Sequence, residues 1–144
     1  MTAPRRAALY SPELLALAVE LAAWPLDPAM PLQGSARART CGSTIALSAR
    51  GGDRIEAFGL RVAACAVGQA AAALFARSAA GKSAEDLEGT LAQLRAWLAG
   101  EGGVPDWPGI AILAPALDHP GRHEAILLPW RAGLDALCNA GTGG

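Results

Sequence analysis

Cys41 and Cys65 bound the stretch CGSTIALSARGGDRIEAFGLRVAAC, and with Cys138 they are the only thiols in the chain. Thiolate sulfur is both a nucleophile and a soft metal ligand, so the question is whether the fold brings two of them together. Between the first two, Ile45, Leu47 and Ala49 alternate with Thr44, Ser48 and Arg50, Ala46 being the exception. That pattern predicts a half-buried strand over 44–50. Gly51-Gly52-Asp53 signals a reversal. A second strand over 54–62 starts with Ile55 and Ala57 on one face, then shifts phase to Phe58, Leu60 and Val62, which predicts a bulge at Gly59. A cysteine before the first strand of a hairpin and another after the second leave the sheet from the same end. Two sequence-distant thiols thus become one two-point site.

The residues after Cys65 give its thiol a second distinction. AVGQAAAALFARSAAG is an alanine-rich helix with Gly81 as its stop, which places Cys65 at a helix N-terminus, where free N–H groups and the dipole favour a thiolate. Arg37 and Arg39 lead into Cys41 and read as a solvated edge, although a positive neighbour also favours the thiolate. Free cysteine is equally at home as a small buried hydrophobe. That alternative weighs on Cys41 and Cys65, while Cys138, late in the last helix, reads as packing.

The remaining elements are scaffold for that pair. Ser11-Pro12-Glu13 opens a helix with a hydroxyl cap, a proline at the first position and an acid facing the dipole. Leu14, Leu17, Ala18 and Leu21 give it one apolar face, and Trp24-Pro25 ends it. Residues 26–34, rich in proline, read as an extended connection. Ser83 to Asp86 resembles a capping box, and Leu87, Leu91, Leu94 and Leu98 form a core stripe behind it. Residues 100–108 (GEGGVPDWP) are a loop acting as a hinge, 110–117 a short buried piece interrupted at Pro115, and a last helix from near Arg122 carries a kink at Pro129. The GTGG tail reads as frayed.

The chain has 144 residues, 52% hydrophobic, and a formal net charge of −1. Residues 1–144 are expected to form a single domain with one core. A charge so near zero argues against nucleic acid or an anionic membrane as partner. No apolar run approaches the roughly 20 residues that cross a bilayer. The N-terminal arginines and apolar stretch superficially resemble a secretory signal, but Glu13 and Glu20 interrupt it, so an amphipathic helix fits better. An odd cysteine count outside a disulfide-rich chain points to a reducing compartment, and a cytoplasmic location is expected. The paired glycines lack the lysine and helix context of a phosphate loop. No Ser/His/Asp order or paired carboxylates argue for hydrolysis.

Taken together, Cys41-Gly42 before a hairpin, Cys65 opening an alanine-rich helix, Gly81-Lys82-Ser83 before the next, and the final PGRHEAILLPW resemble the iron–sulfur cluster assembly scaffolds, the IscU-type proteins and the N-terminal domain of NifU. The resemblance runs from YSPELL to the last helix. It implies an α+β fold, a small antiparallel sheet packed against helices. It also implies a site of three cysteines and an aspartate that holds a [2Fe–2S] cluster or Zn between the hairpin end and the start of the last helix. Cys41 and Cys65 match the first two cysteines. The aspartate position is Ser43 and the third cysteine position is Ala125, so half the set is replaced. His123 and Glu124 are the nearby candidates to substitute, by an imidazole nitrogen and by a carboxylate oxygen.

For function the resemblance implies a scaffold, not an enzyme. It would receive sulfur as persulfide from a cysteine desulfurase and work with other iron–sulfur assembly proteins. Two alternatives remain open: a sulfur acceptor of the SufE kind using Cys41 alone, and a degenerate regulatory partner that binds no metal. Cys65 separates the scaffold from the SufE pattern, because the latter has no second thiol at a helix start.

Overall fold

The computed structural model describes residues 10–142; the expectations for Met1–Leu9 and for the end of the GTGG tail lie outside them. Helix α1 spans Pro12–Glu20, and its Ser11 hydroxyl accepts the Leu14 N–H at 3.2 Å as the sequence predicts. A 3-10 turn, Leu21–Ala23, carries the chain to Trp24. The sheet is an antiparallel meander of β1 (Leu32–Arg37), β2 (Thr44–Gly51) and β3 (Ile55–Ala63) in that order. Helices α2 (Ala66–Ser78), α3 (Ala84–Leu98) and α4 (His123–Thr142) come after it, with 3-10 segments at Ile110–Asp118 and Pro120–Arg122. The α+β architecture is the expected one. No helix among the described residues is long and apolar enough to cross a membrane.

Three departures from the sequence reading have physical causes. The first is β1, which begins inside the supposed connection. LQGSAR alternates Leu32, Gly34 and Ala36 with Gln33, Ser35 and Arg37, but only Leu32 is a large apolar residue, so the hydrophobic signal is weak. Its partner is α4: a side chain on Gly34 would collide with the Ala132 carbonyl oxygen and lie 2.5 Å from the Ala136 nitrogen. Helix α4 also closes the free edge of β1, with Asp135 accepting the Ser35 N–H at 2.9 Å and Asn139 donating to the Gln33 carbonyl at 2.8 Å. A strand edge so occupied cannot template a further strand there.

The second concerns Gly59. It pairs regularly with Ser48, and the one register irregularity lies between Arg50 and Gly51. Glycine is required at 59 because the chain after α1 crosses there: a Cβ would strike the Pro25 carbonyl. The Leu60 N–H is bonded to the Trp24 carbonyl at 2.8 Å, and the Asp27 N–H to the Ser48 hydroxyl at 2.9 Å. This crossing covers the middle of the outer face and explains why Ser48 is buried.

The third is the loop over 100–108, which is irregular as expected but delivers a core residue. Trp107 donates its indole N–H to the Leu74 carbonyl at 2.8 Å, stacks on Phe75 at 5.6 Å and meets Trp130 edge-on at 5.2 Å. Elsewhere the reading holds: Ser83 and Asp86 form the capping box, Leu87, Leu91 and Leu94 are buried, and Leu98 packs partly buried against the core. The buried piece after the loop is 3-10 helix through Pro115, and α4 runs from His123 to Thr142 with Pro129 inside it.

These contacts predict opposite outcomes for two Gly→Ala substitutions. Gly34→Ala forces α4 off β1 and is expected to cost about 3 kcal/mol in urea unfolding. Gly89→Ala, inside α3 with open space around it, is expected to stabilise by about 1 kcal/mol through helix propensity. A Gly34→Ala protein as stable as its parent would mean that the close approach of α4 is not as described.

Candidate functional site

The site is built by strand register. Thr44 pairs with Ala63 in the last row shared by β2 and β3. Cys41 lies three residues before Thr44, in the loop from β1, and Cys65 two residues after Ala63. Both leave the sheet from the same end.

The Cys41 loop is closed by its own backbone. Ala38 donates to the Ser43 carbonyl at 2.8 Å and Gly42 to the Ala38 carbonyl at 2.9 Å. Gly42 takes φ +74°, a left-handed conformation natural to glycine. The turn exposes the Cys41 side chain and buries Ser43, leaving the Cys41 Sγ and Ser43 Oγ 3.0 Å apart. The Ser43 hydroxyl, and then its backbone N–H, hold the thiol below its ordinary pKa, against partial burial and the negative charge of Glu124. Ser43 therefore acts on the sulfur through a hydrogen bond.

Cys65 is the N-cap residue of α2, in extended conformation, and its side chain makes no capping bond. It is half-buried and packs against the edge of the core. The first turn of α2 meets the first turn of α4, since a Cβ on Gly68 would sit 3.2 Å from that of Ala125. Ala125 is thus beside the helix start that carries Cys65, but it is a fully buried methyl group with no donor atom.

Glu124 and His123 are both engaged elsewhere. The Glu124 Oε1 accepts the Thr40 N–H and hydroxyl, each at 3.1 Å, and its Oε2 lies 3.7 Å from the Arg131 guanidinium. The backbone N–H groups of Thr40 and Arg39 draw its pKa below the usual carboxylate range. Glu124 clamps the Cys41 loop to α4, a role that reasoning from sequence missed because Thr40 is 84 positions away. This clamp needs the carboxylate: it is fully present above the unfolded carboxylate pKa and is lost as pH falls through the lowered folded one. The His123 Nε2 lies 3.0 Å from the Ala116 carbonyl and 3.2 Å from that of Leu117. Both are acceptors, so this nitrogen carries the proton and donates, leaving only Nδ1 with a lone pair.

A [2Fe–2S] cluster or a zinc ion is ordinarily held by four ligands. Among the described residues no group of three or more His, Cys, Asp and Glu side chains stands in a metal-holding arrangement. Two thiols are what this end of the molecule offers. The residues present do not fit a complete cluster or zinc site within one chain.

The chain shares its fold with solved structures over nearly its whole length. The chain is similar to the N-terminal part of a nitrogen-fixing NifU-like protein from Brucella abortus, with a TM-score of 0.88 at 22% identity over 97% of this chain and 99% of that one. It is also similar to a protein from the thermophile Fervidobacterium islandicum AW-1 ascribed to the SUF-system iron–sulfur cluster assembly scaffolds, with a TM-score of 0.78 at 19% identity over 90% and 96% of the two chains. At such identities the likeness is one of fold. No family model matches the sequence, and no curated protein does.

Two substitutions are expected to shift the pH midpoint of Cys41 alkylation in opposite directions, read by mass mapping of the modified thiol. Ser43→Ala removes the hydroxyl that favours the thiolate, so the midpoint rises and alkylation at neutral pH slows. Glu124→Gln removes a negative charge and lowers the midpoint. Glu124→Ala, which removes the acceptor as well, is expected to speed amide hydrogen exchange at Thr40 more than Glu124→Gln does. Equal exchange in parent and both variants would contradict the clamp.

Proposed function

We propose that this protein serves iron–sulfur cluster assembly as a scaffold-type carrier, not an enzyme, with Cys41 as the sulfur-accepting thiol and Cys65 as the second point of attachment for the cargo. What supports this reading is the placement of both cysteines at the same end of the sheet, in a fold that matches a NifU-like domain over nearly its whole length. Cys41 has the features of an acceptor: it is exposed, its pKa is lowered, and it stands on a loop held from both sides. The Cys41 thiolate attacks the outer sulfur of a persulfide on a cysteine desulfurase, a new S–S bond forms on Cys41, and the donor cysteine leaves as thiolate. Iron and sulfide are cargo here. Because the chain itself supplies two ligands, a bound cluster takes its remaining ligands from a partner protein or a small thiol.

A second reading is favoured by the buried methyl of Ala125 and the prior engagement of Glu124 and the His123 Nε2. In it the protein is a SufE-like sulfur acceptor that binds no iron.

Incubation with a cysteine desulfurase and cysteine, with mass mapping of the product, is expected to find one added sulfur on Cys41. Anaerobic reconstitution with iron, sulfide and a small thiol is expected to give a chromophore that Cys41→Ala and Cys65→Ala each abolish and Cys138→Ala leaves intact. Persulfide on Cys41 without iron uptake selects the SufE-like reading. Neither persulfide nor iron on the native chain overturns both.

A further inference from the structure

The outer face of the sheet is crossed at mid-strand and open toward the thiol end. Around Ser48 and Gly59 the segment from Trp24 to Asp27 lies against it, bonded to Leu60 and Ser48. Beyond that crossing, toward the thiol end, a hollow of about 400 Å³ remains, floored by the small residues Ser35, Thr44, Ala46 and Ala63. Arg37 on β1 and Arg61 on β3 flank it from opposite strands. Both are exposed, and the ion pairs among the described residues use Arg54, Arg77 and Arg131 instead. No acidic residue lines the hollow. In a chain of net charge −1 this is a local positive field above a small-residue floor.

We propose that this open end of the face is the docking surface for an extended acidic segment of a partner protein, seated between Arg37 and Arg61. Guanidinium forks match carboxylates in shape as well as charge. The flanking strands are separated by two strand spacings, about 10 Å, which admits one extended chain. A helix about 10–12 Å across would ride on the arginines without reaching the floor. Alanine, serine and threonine on the floor let a backbone approach closely. Nucleic acid fits less well, because tracking a phosphate backbone needs a longer basic stripe than two residues supply. The row formed by Arg37, Thr44 and Ala63 is the last before the Cys41 loop and Cys65, so a partner seated here stands beside the thiols. The proposal rests on this face alone and is independent of any sulfur or metal chemistry.

The test is titration of the isotopically labelled full chain with a capped hexaglutamate peptide, read by amide chemical shifts. Saturable shifts are expected over residues 35–37, 44–46 and 61–63, weakening as salt is raised. Arg37→Ser with Arg61→Ser is expected to weaken binding about tenfold, whereas Arg50→Ser, at the far end of β2, leaves it unchanged. Shifts that map elsewhere, that survive the double substitution, or that are absent overturn the proposal. So does tighter binding of an oligothymidylate to the same residues.

Discussion

The close approach of α4 to β1 is the contact on which the rest of the structure depends. Gly34 offers bare backbone to the turn that carries Ala132 and Ala136, and no side chain fits between. Small residues repeat along the same helix: Ala125 lies against Gly68 of α2, and Gly133 against Phe75 and Leu87. Helix α4 can therefore touch the sheet, α2 and α3 at once, and its first turn arrives at the thiol end. From there Glu124 reaches Thr40 and holds the Cys41 loop.

This dependence also explains what the sequence could and could not disclose. Local signals were sufficient for the caps at Ser11 and Ser83, for the hairpin over 44–63, and for Cys65 at a helix start, because each rests on neighbours within a few residues. β1 was hidden because its inward positions after Leu32 are Gly34 and Ala36, small residues that let another backbone approach and leave only a weak hydrophobic alternation. The phase change in β3 was a true signal read at the wrong residue: the register irregularity lies between Arg50 and Gly51, opposite Ile55–Ala57, and Gly59 is glycine because a chain crosses it. The Thr40–Glu124 clamp left no local trace at all. Trp107 sits in a run whose composition says loop, and only its aromatic partners reveal it as core.

For the site, residue type and spacing located the thiols, and the fold assigns their neighbours different tasks. Ser43 tunes the Cys41 sulfur through a hydrogen bond at 3.0 Å. Glu124 positions the loop, the His123 Nε2 is satisfied by carbonyls, and Ala125 fills space between two helix starts. The remainder is one exposed thiol and one half-buried thiol that follow from the same end of the sheet.

That pair is the centre of the account, and a trivalent arsenical tests it most directly, since such a reagent forms a stable adduct only where two thiols can reach one arsenic. Phenylarsine oxide added to the reduced full chain is expected to give one arsenic per molecule, bridging Cys41 and Cys65, shielding both from alkylation and leaving Cys138 reactive. A chain in which Cys41 and Cys65 stay separately alkylatable, or in which the arsenical engages Cys138, would contradict it.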